Sequence, residues 1–297
     1  MLRVEHLTKK FGALTAVDDL SFSIQPGRVV GFLGPNGAGK TTTLRIALGL
    51  ASATSGSATF DGVPYRKLAG PSRQVGAVLE ASSFHPGRTA RDHLLMLAAG
   101  AGIAKPRCGE LLDLVGLAAA ADRRVGTYST GMRARLSLAG ALLGDPQVLL
   151  LDEPTNGLDP EGIAWMRALT RQLADSGKSV LVSSHLLSEV QHSVDDVVII
   201  SHGRLVHASS LDELGSARGS QTEVVAADPE ALARLAASQG WATSRPSGSS
   251  GLIVVGPTAA QIGHAAHLAG VELHQLATQA SPLEAAFLAL TEGGGIR

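Results

Sequence analysis

Gly34-Pro35-Asn36-Gly37-Ala38-Gly39-Lys40-Thr41 decides the reading of this chain. The stretch fits G-x-x-x-x-G-K-[ST], the pattern of a phosphate-binding loop. Gly34, Gly37 and Gly39 let the backbone turn tightly, so that successive N–H groups can face phosphate oxygens. Lys40 brings a positive charge that can reach the β- and γ-phosphates, and Thr41 offers a hydroxyl to the Mg²⁺ that accompanies a nucleotide. The flanks suit that use. Arg28 to Leu33 reads as a buried strand. Thr42 to Leu48 reads as a helix whose positive N-terminal end, opened by Thr42, would face the phosphates.

Working outward, Leu149-Leu150-Leu151-Asp152-Glu153-Pro154 places two acids at the end of an apolar strand. Alone this would read as a strand-end turn with solvated carboxylates. Beside a phosphate loop, Asp152 suits a Mg²⁺ site and Glu153 suits activation of a water, as general base or positioning group. Tyr128-Ser129-Thr130-Gly131-Met132 opens a helix with small residues, which leaves backbone N–H groups free for an anion and is equally the signature of an ordinary Ser/Thr cap. His185 follows the strand Val180–Ser184, where it can donate to a phosphate and orient catalytic groups. Asp159, in Gly157-Leu158-Asp159-Pro160, suits either turn chemistry or a subunit contact.

Composition bounds the function classes. The 297 residues are 44% hydrophobic, ample for a core, with 25 basic and 26 acidic residues and a formal charge of −1, so nothing points to general nucleic-acid binding. The single cysteine, Cys108, cannot form an intrachain disulfide. With no secretory signal evident, the reading places the chain in a reducing cytoplasm. No apolar run approaches the roughly 18 residues that span a bilayer, so any membrane role runs through a partner.

Strand-like segments are Leu2–Leu7, Ser21–Ile24 and Ala58–Phe60, forming a small antiparallel layer, and Val75–Leu79, Val148–Leu151, Val180–Val182 and Val197–Ile200. Helical patterns between the last group suit a βαβ-built parallel sheet. Residues from about 85 to 145 read as helical, with Thr89 or Asp92, and later Ser129, as caps. A Gly/Ser-rich shift near Ser209–Ser220 reads as a linker. Beyond it, strand, helix, a weak strand near Ala242–Arg245, strand, helix and strand suit a small split-βαβ domain, with a last helix over Ser281–Thr291. His264, His267 and His274 lack a completing Cys or acid cluster and read as a solvated face rather than a metal site. Arg133 and Arg135 would meet either a partner or water.

Taken together, and over roughly residues 1–215, these motifs resemble the nucleotide-binding subunits of ATP-binding-cassette (ABC) transporters. Gly34–Thr41 corresponds to the family's phosphate loop and Ser129-Thr130-Gly131 to its signature. Asp152-Glu153 corresponds to its magnesium and catalytic acids, Leu158-Asp159 to its D-loop, and His185 to its switch histidine. Phe11 sits where the family stacks an aromatic ring on adenine. The resemblance implies an α/β fold: a P-loop ABC ATPase domain over 1–215, with a parallel-sheet core, an antiparallel β layer and a helical subdomain at about 85–145. A small α+β domain would occupy 216–297.

It also implies ATP and Mg²⁺ as ligands, hydrolysis, and catalytic roles for Glu153, His185 and Lys40. A second ATP-binding subunit would form a homodimer in which Ser129 meets nucleotide held by the partner. A separate multispanning membrane permease would place the chain at the inner face of the cell membrane. Two departures stand out. Glu80 occupies the family's usual glutamine position, where it would still reach Mg²⁺ through water. The signature reads Ser-Thr-Gly-Met rather than Ser-Gly-Gly-Gln. Both look like bacitracin- and daunorubicin-type drug exporters, as does Ser281-Pro282-Leu283-Glu284-Ala285-Ala286-Phe287-Leu288. The favoured reading is the ATPase subunit of an exporter of a drug, antibiotic or lipid-like cargo. The alternative is a soluble ATP-gated assembly or regulatory module, against which stand the lack of a coiled-coil insertion, a second cassette or a basic tract.

Overall fold

Alternating apolar residues start the chain. Strand β1 (Leu2–Phe11) buries Leu2, Val4 and Leu7 and exposes most of their neighbours. The alternation slips at His6, whose φ is +48°, where pairing with β2 (Leu14–Ile24) shifts register. A fully buried strand without alternation follows, β3 (Val29–Leu33), as expected for the interior of a parallel sheet. It runs into the glycine loop and helix α1 (Lys40–Ala47). Strand β4 (Ser55–Phe60) returns to the other edge of β1, setting Phe60 opposite Leu2 and giving a three-stranded antiparallel sheet ordered β2-β1-β4. The computed structural model describes residues 1–79, 84–216, 220–245 and 251–278.

Strand β5 (Val75–Val78) precedes the helical stretch of α2 (Ala90–Ala101), α3 (Pro106–Leu114) and α4 (Thr130–Ala141). Of the two cap candidates for α2, Thr89 takes the role, its hydroxyl oxygen accepting from Asp92 N at 3.1 Å. Pro106 opens α3, because proline fits the first helical position without losing a hydrogen bond. Then come β6 (Val148–Asp152), α5 (Pro160–Asp175), β7 (Ser179–Ser184), the four-residue α6 (Leu187–Val190), β8 (Asp196–Ser201) and β9 (Arg204–Ser210).

The second sheet is ordered β5-β6-β7-β3-β8-β9, with parallel pairing from β5 through β8. His202 and Gly203, with φ of +49° and +80°, form the two-residue turn into β9 that such values favour. The order sets the carboxyl ends of β3, β6 and β7 side by side, where open α/β sheets take ligands. Phe32, Leu44, Leu150, Leu181, Ile200 and Phe60 join one core that unites both sheets and α1.

The chain divides into two compact units between Ser209 and Ser210. Within the stretch read as a linker, Ser209–Ser220, the end of β9 and helix α7 (Leu211–Ser216) are found, and residues 217–219 lie outside the described residues. Ser210 and Glu213 cap α7 reciprocally, Ser210 N donating to Glu213 Oε2 at 3.1 Å and Glu213 N to Ser210 Oγ at 3.2 Å. Serine there serves as a cap rather than as a spacer.

The second unit continues as β10 (Ser220–Ala226), α8 (Pro229–Ser238), β11 (Ala242–Ser244), β12 (Leu252–Gly256), α9 (Ala259–Leu268) and β13 (Leu273–Thr278). Its antiparallel sheet is ordered β11-β12-β10-β13 over a core of Val224, Leu232, Ala236, Leu252, Val254 and Ile262. The weak strand is real but only three residues long. The helix expected over Ser281–Thr291 lies outside the described residues. Among the described residues no helix is long and apolar enough to cross a membrane.

Candidate active site

The glycine loop is shaped by what a side chain would strike. A Cβ on Gly34 would come within 2.3 Å of the Ile200 carbonyl oxygen. Gly39 has φ of +104°, and its Cβ would meet the Ala16 carbonyl oxygen at 2.5 Å. Both positions need glycine to let the loop sit against β8 and β2. The loop delivers Lys40 as the first residue of α1, only 5% exposed. Its ammonium donates to the Gly34 carbonyl at 2.6 Å and to the Pro35 carbonyl at 3.3 Å.

The acids of β6 stand beside it. Thr41 Oγ1 donates to Asp152 Oδ2 at 2.7 Å, and Ser183 Oγ donates to Asp152 Oδ1 at 2.5 Å. Glu153 lies 3.4 Å from the Lys40 ammonium through Oε1. Its other oxygen accepts from Asn156 Nδ2 at 2.9 Å and meets His185 Nδ1 at 2.8 Å. A carboxylate only accepts, so in this contact the Nδ1 atom carries the proton. Burial pushes the Glu153 carboxyl up, but the hydrogen bonds from His185 and Asn156 and the charge of Lys40 outweigh it and hold it below the ordinary carboxylate value.

Glu153 has φ of +46°, a left-handed conformation unusual for a residue with a side chain and a strain of about 1–3 kcal/mol. The surrounding structure holds it there. Its backbone N–H donates to Ser183 Oγ at 2.9 Å, the same hydroxyl that reaches Asp152. Asp152 therefore sits at the strand end and Glu153 turns out of the strand toward Lys40.

Five of the residues singled out in the sequence thus form one cluster: Lys40, Thr41, Asp152, Glu153 and His185. A cavity of about 520 Å³ opens on Thr41, Asp152 and Glu153 and is also lined by Thr130 and Arg133 from α4. Ser129, Gly131 and Asp159 line a different hollow, of about 200 Å³, with Leu158 and Trp165. There Ser129 and Asp159 cap α4 and α5, accepting from Met132 N at 3.2 Å and Gly162 N at 2.9 Å. Phe11 ends β1, is 53% exposed, and carries the Lys9 ammonium 4.7 Å from its ring centre. Glu80 lies outside the described residues. Ser183 and Asn156 are the site residues that the sequence reading missed. Ser183 had a signal, a serine in a strand otherwise read as buried and apolar, whereas Asn156 reads as one more turn residue.

A glycine-shaped loop, a buried ammonium, and a hydroxyl and carboxylate in contact make a set that fits a nucleotide's phosphates and their Mg²⁺. Known proteins agree. A family model described as ABC transporter matches residues 17–156, and one described as a domain of unknown function matches residues 220–284. The chain is 42% identical over 217 residues to the bacitracin transport ATP-binding protein BcrA of Bacillus licheniformis, covering 72% of this chain and 71% of that one. It is 35% identical to the lantibiotic transport ATP-binding protein SrtF of Streptococcus pyogenes, over 71% of this chain and 92% of the relative. Among solved structures, an ATP-binding subunit of an ABC transporter superposes with a TM-score of 0.65 at 27% identity, over 72% of this chain and 91% of that one. A dimeric post-hydrolysis ATP-binding cassette bound to ADP and Pi gives 0.63 at 25% identity, over 71% and 99%.

Proposed function

The chain belongs to the ATP-binding subunits of ABC transporters and hydrolyses ATP, and on that footing we propose that it powers an exporter of a drug, antibiotic or lipid-like cargo. A separate multispanning permease would form the path, with this chain peripheral to the membrane at its inner face. The observation that carries the reading is the convergence of Lys40, Thr41, Asp152, Glu153 and His185 at the carboxyl ends of adjoining strands. Relatives named for bacitracin and lantibiotic transport favour it over a soluble ATP-gated assembly module.

In this reading Lys40 and backbone N–H groups of the loop beyond Pro35 hold the β- and γ-phosphates, and Phe11 stacks on adenine. Thr41 and Asp152 would hold Mg²⁺, with Glu80 assisting; when bound, the ion would offset charge on the transferring phosphoryl group. Glu153 takes a proton from the attacking water as the water oxygen bonds to the γ-phosphorus. The bond from that phosphorus to the bridging oxygen breaks, and its electron pair leaves with ADP. His185 keeps the Glu153 carboxylate oriented and reaches toward the γ-phosphate. Ser129, Thr130, Gly131 and Asp159 serve a second copy, closing on nucleotide held by the partner.

Affinity purification of the tagged chain in mild detergent tests this function. A multispanning membrane protein should co-purify, and compounds of the cargo class should change ATP turnover. Recovery with nucleic acid or ribosomes and no membrane protein would overturn the transport role.

A further inference from the structure

Glu189, on α6, stands outside the cluster that does the chemistry, yet its carboxylate reaches the two segments that carry Glu153 and His185. Its Oε2 atom accepts from Ser184 Oγ at 2.6 Å and from Thr155 Oγ1 at 3.2 Å. Ser184 immediately precedes His185, and Thr155 follows Glu153 by two residues. One carboxylate oxygen therefore joins the segment that carries the histidine to the segment that carries the acid. Both hydroxyl residues are buried, Ser184 at 1% and Thr155 at 6% exposure, so the bonds compete little with water. The Leu186 N–H donates to Ser184 Oγ at 3.0 Å, fixing the chain on the far side of His185 as well.

The backbone of Glu189 is anchored in turn. Arg167 on α5 donates to the Glu189 carbonyl from Nε at 2.9 Å and from Nη2 at 2.7 Å, and from Nη2 to the Ser188 carbonyl at 3.2 Å. Ser183 cannot do this work, since its hydroxyl is committed to Asp152 and the Glu153 N–H. His185 is only partly buried, and Leu186 beside it is 45% exposed, so packing alone fixes the histidine weakly.

We propose that Glu189 is a positioning residue for ATP hydrolysis: by holding Ser184 and Thr155 on one oxygen, it keeps His185 within hydrogen-bond reach of Glu153. The inference rests on the roles given above to Glu153 and His185. It assigns Glu189 no contact with nucleotide, so losing it should slow the chemical step and leave binding alone.

The test is steady-state ATP turnover of the full chain carrying Glu189→Ala or Glu189→Gln, with folding checked by thermal melting. For Glu189→Ala, kcat should fall about tenfold or more while KM for ATP stays within about twofold, as expected when a catalytic contact is misplaced by about 1 Å. Glu189→Gln keeps an acceptor oxygen for the two hydroxyls and should stay within about threefold of the parent. In a His185→Ala background, Glu189→Ala should add less than about a twofold loss, because both changes break one link. Unchanged kcat, additive losses, or a parallel rise in KM would overturn the proposal. Should Glu189→Ala fail to fold, Ser184→Ala removes the shorter bond and carries the same expectations. Controls separate the two readings. If Glu153→Gln and His185→Ala turn over normally, the reading of the site fails; if they are impaired and Glu189→Ala is not, only the Glu189 role fails.

Discussion

Glu153→Gln keeps the side chain's shape and removes one negative charge next to Lys40. The carboxyl sits below the ordinary carboxylate value, so at neutral pH it is ionised and able to take a proton. Its Oε1 atom lies 3.4 Å from a lysine that is 5% exposed; at an effective dielectric of about 20 the gross attraction is about 5 kcal/mol, before the desolvation of both groups is subtracted. Two effects of opposite sign follow. The amide cannot act as a base at neutral pH, and loss of a general base lowers kcat by about 10²–10⁴-fold, or about 3–5 kcal/mol in the barrier. The lysine, meanwhile, loses its competing anion but keeps the Gly34 and Pro35 carbonyls, so it is not stranded. With one fewer negative charge beside the phosphates, ATP should bind at least as tightly as to the parent chain. The amide oxygen can face either Lys40 or the pair Asn156 and His185, not both, which costs about 1 kcal/mol of stability. Phosphate release measured beside equilibrium binding of a fluorescent ATP analogue separates these effects. Parent-like turnover would remove Glu153 from the base role. Affinity falling in step with turnover would show that the residue only shapes the site.

Two more predictions concern regions away from the chemistry. His93 on α2 has a buried Nδ1 without a hydrogen-bond partner among the described residues and packs edge-on against Phe84 at 4.9 Å between ring centres. Burial, and secondarily the charge of Arg88, hold its pKa below the ordinary value. The unfolded chain therefore binds this proton more readily, and the stability contributed by neutral His93 is present above about pH 6.5 and lost as pH falls through the folded-state pKa. The melting temperature of the parent should drop more steeply than that of His93→Phe between about pH 7.5 and 5.5, and equal slopes would refute the assignment. In the second unit, Thr258 and Gln261 form a capping box at the start of α9. Thr258→Ala should cost about 1 kcal/mol and speed hydrogen exchange in α9, with ATP turnover unchanged; protection equal to the parent would show that the cap is dispensable.

The strands and helices were legible wherever one pattern dominated. Buried runs such as Val148–Leu151 and Val197–Ile200 read as parallel strands because both faces of such a sheet are covered. Boundaries were less legible where a local cap decided them, as with Pro106 at the start of α3 and Ser210 before α7. The site residues that carry a rare type in a rare pattern, Lys40, Asp152, Glu153 and His185, were legible. Asn156, Ser184 and Glu189 were not, since an amide, a hydroxyl and a surface-type acid in short segments are common everywhere and acquire meaning only from what they touch.

The sequence by itself determined the ligand class, because Gly34–Thr41 packs steric permission, charge and hydroxyl into eight neighbouring residues whose relations are local. It also determined the parallel-sheet core, through uninterrupted apolar runs. Tertiary structure alone decided how the distant acids meet that loop. The strand order β6-β7-β3 brings residues 111 positions apart to 2.7 Å in the Thr41–Asp152 bond, and places Ser183 where one hydroxyl holds Asp152 and the strained Glu153 together. Such contacts depend on register and on backbone conformation across elements, and no local pattern of residue types encodes either.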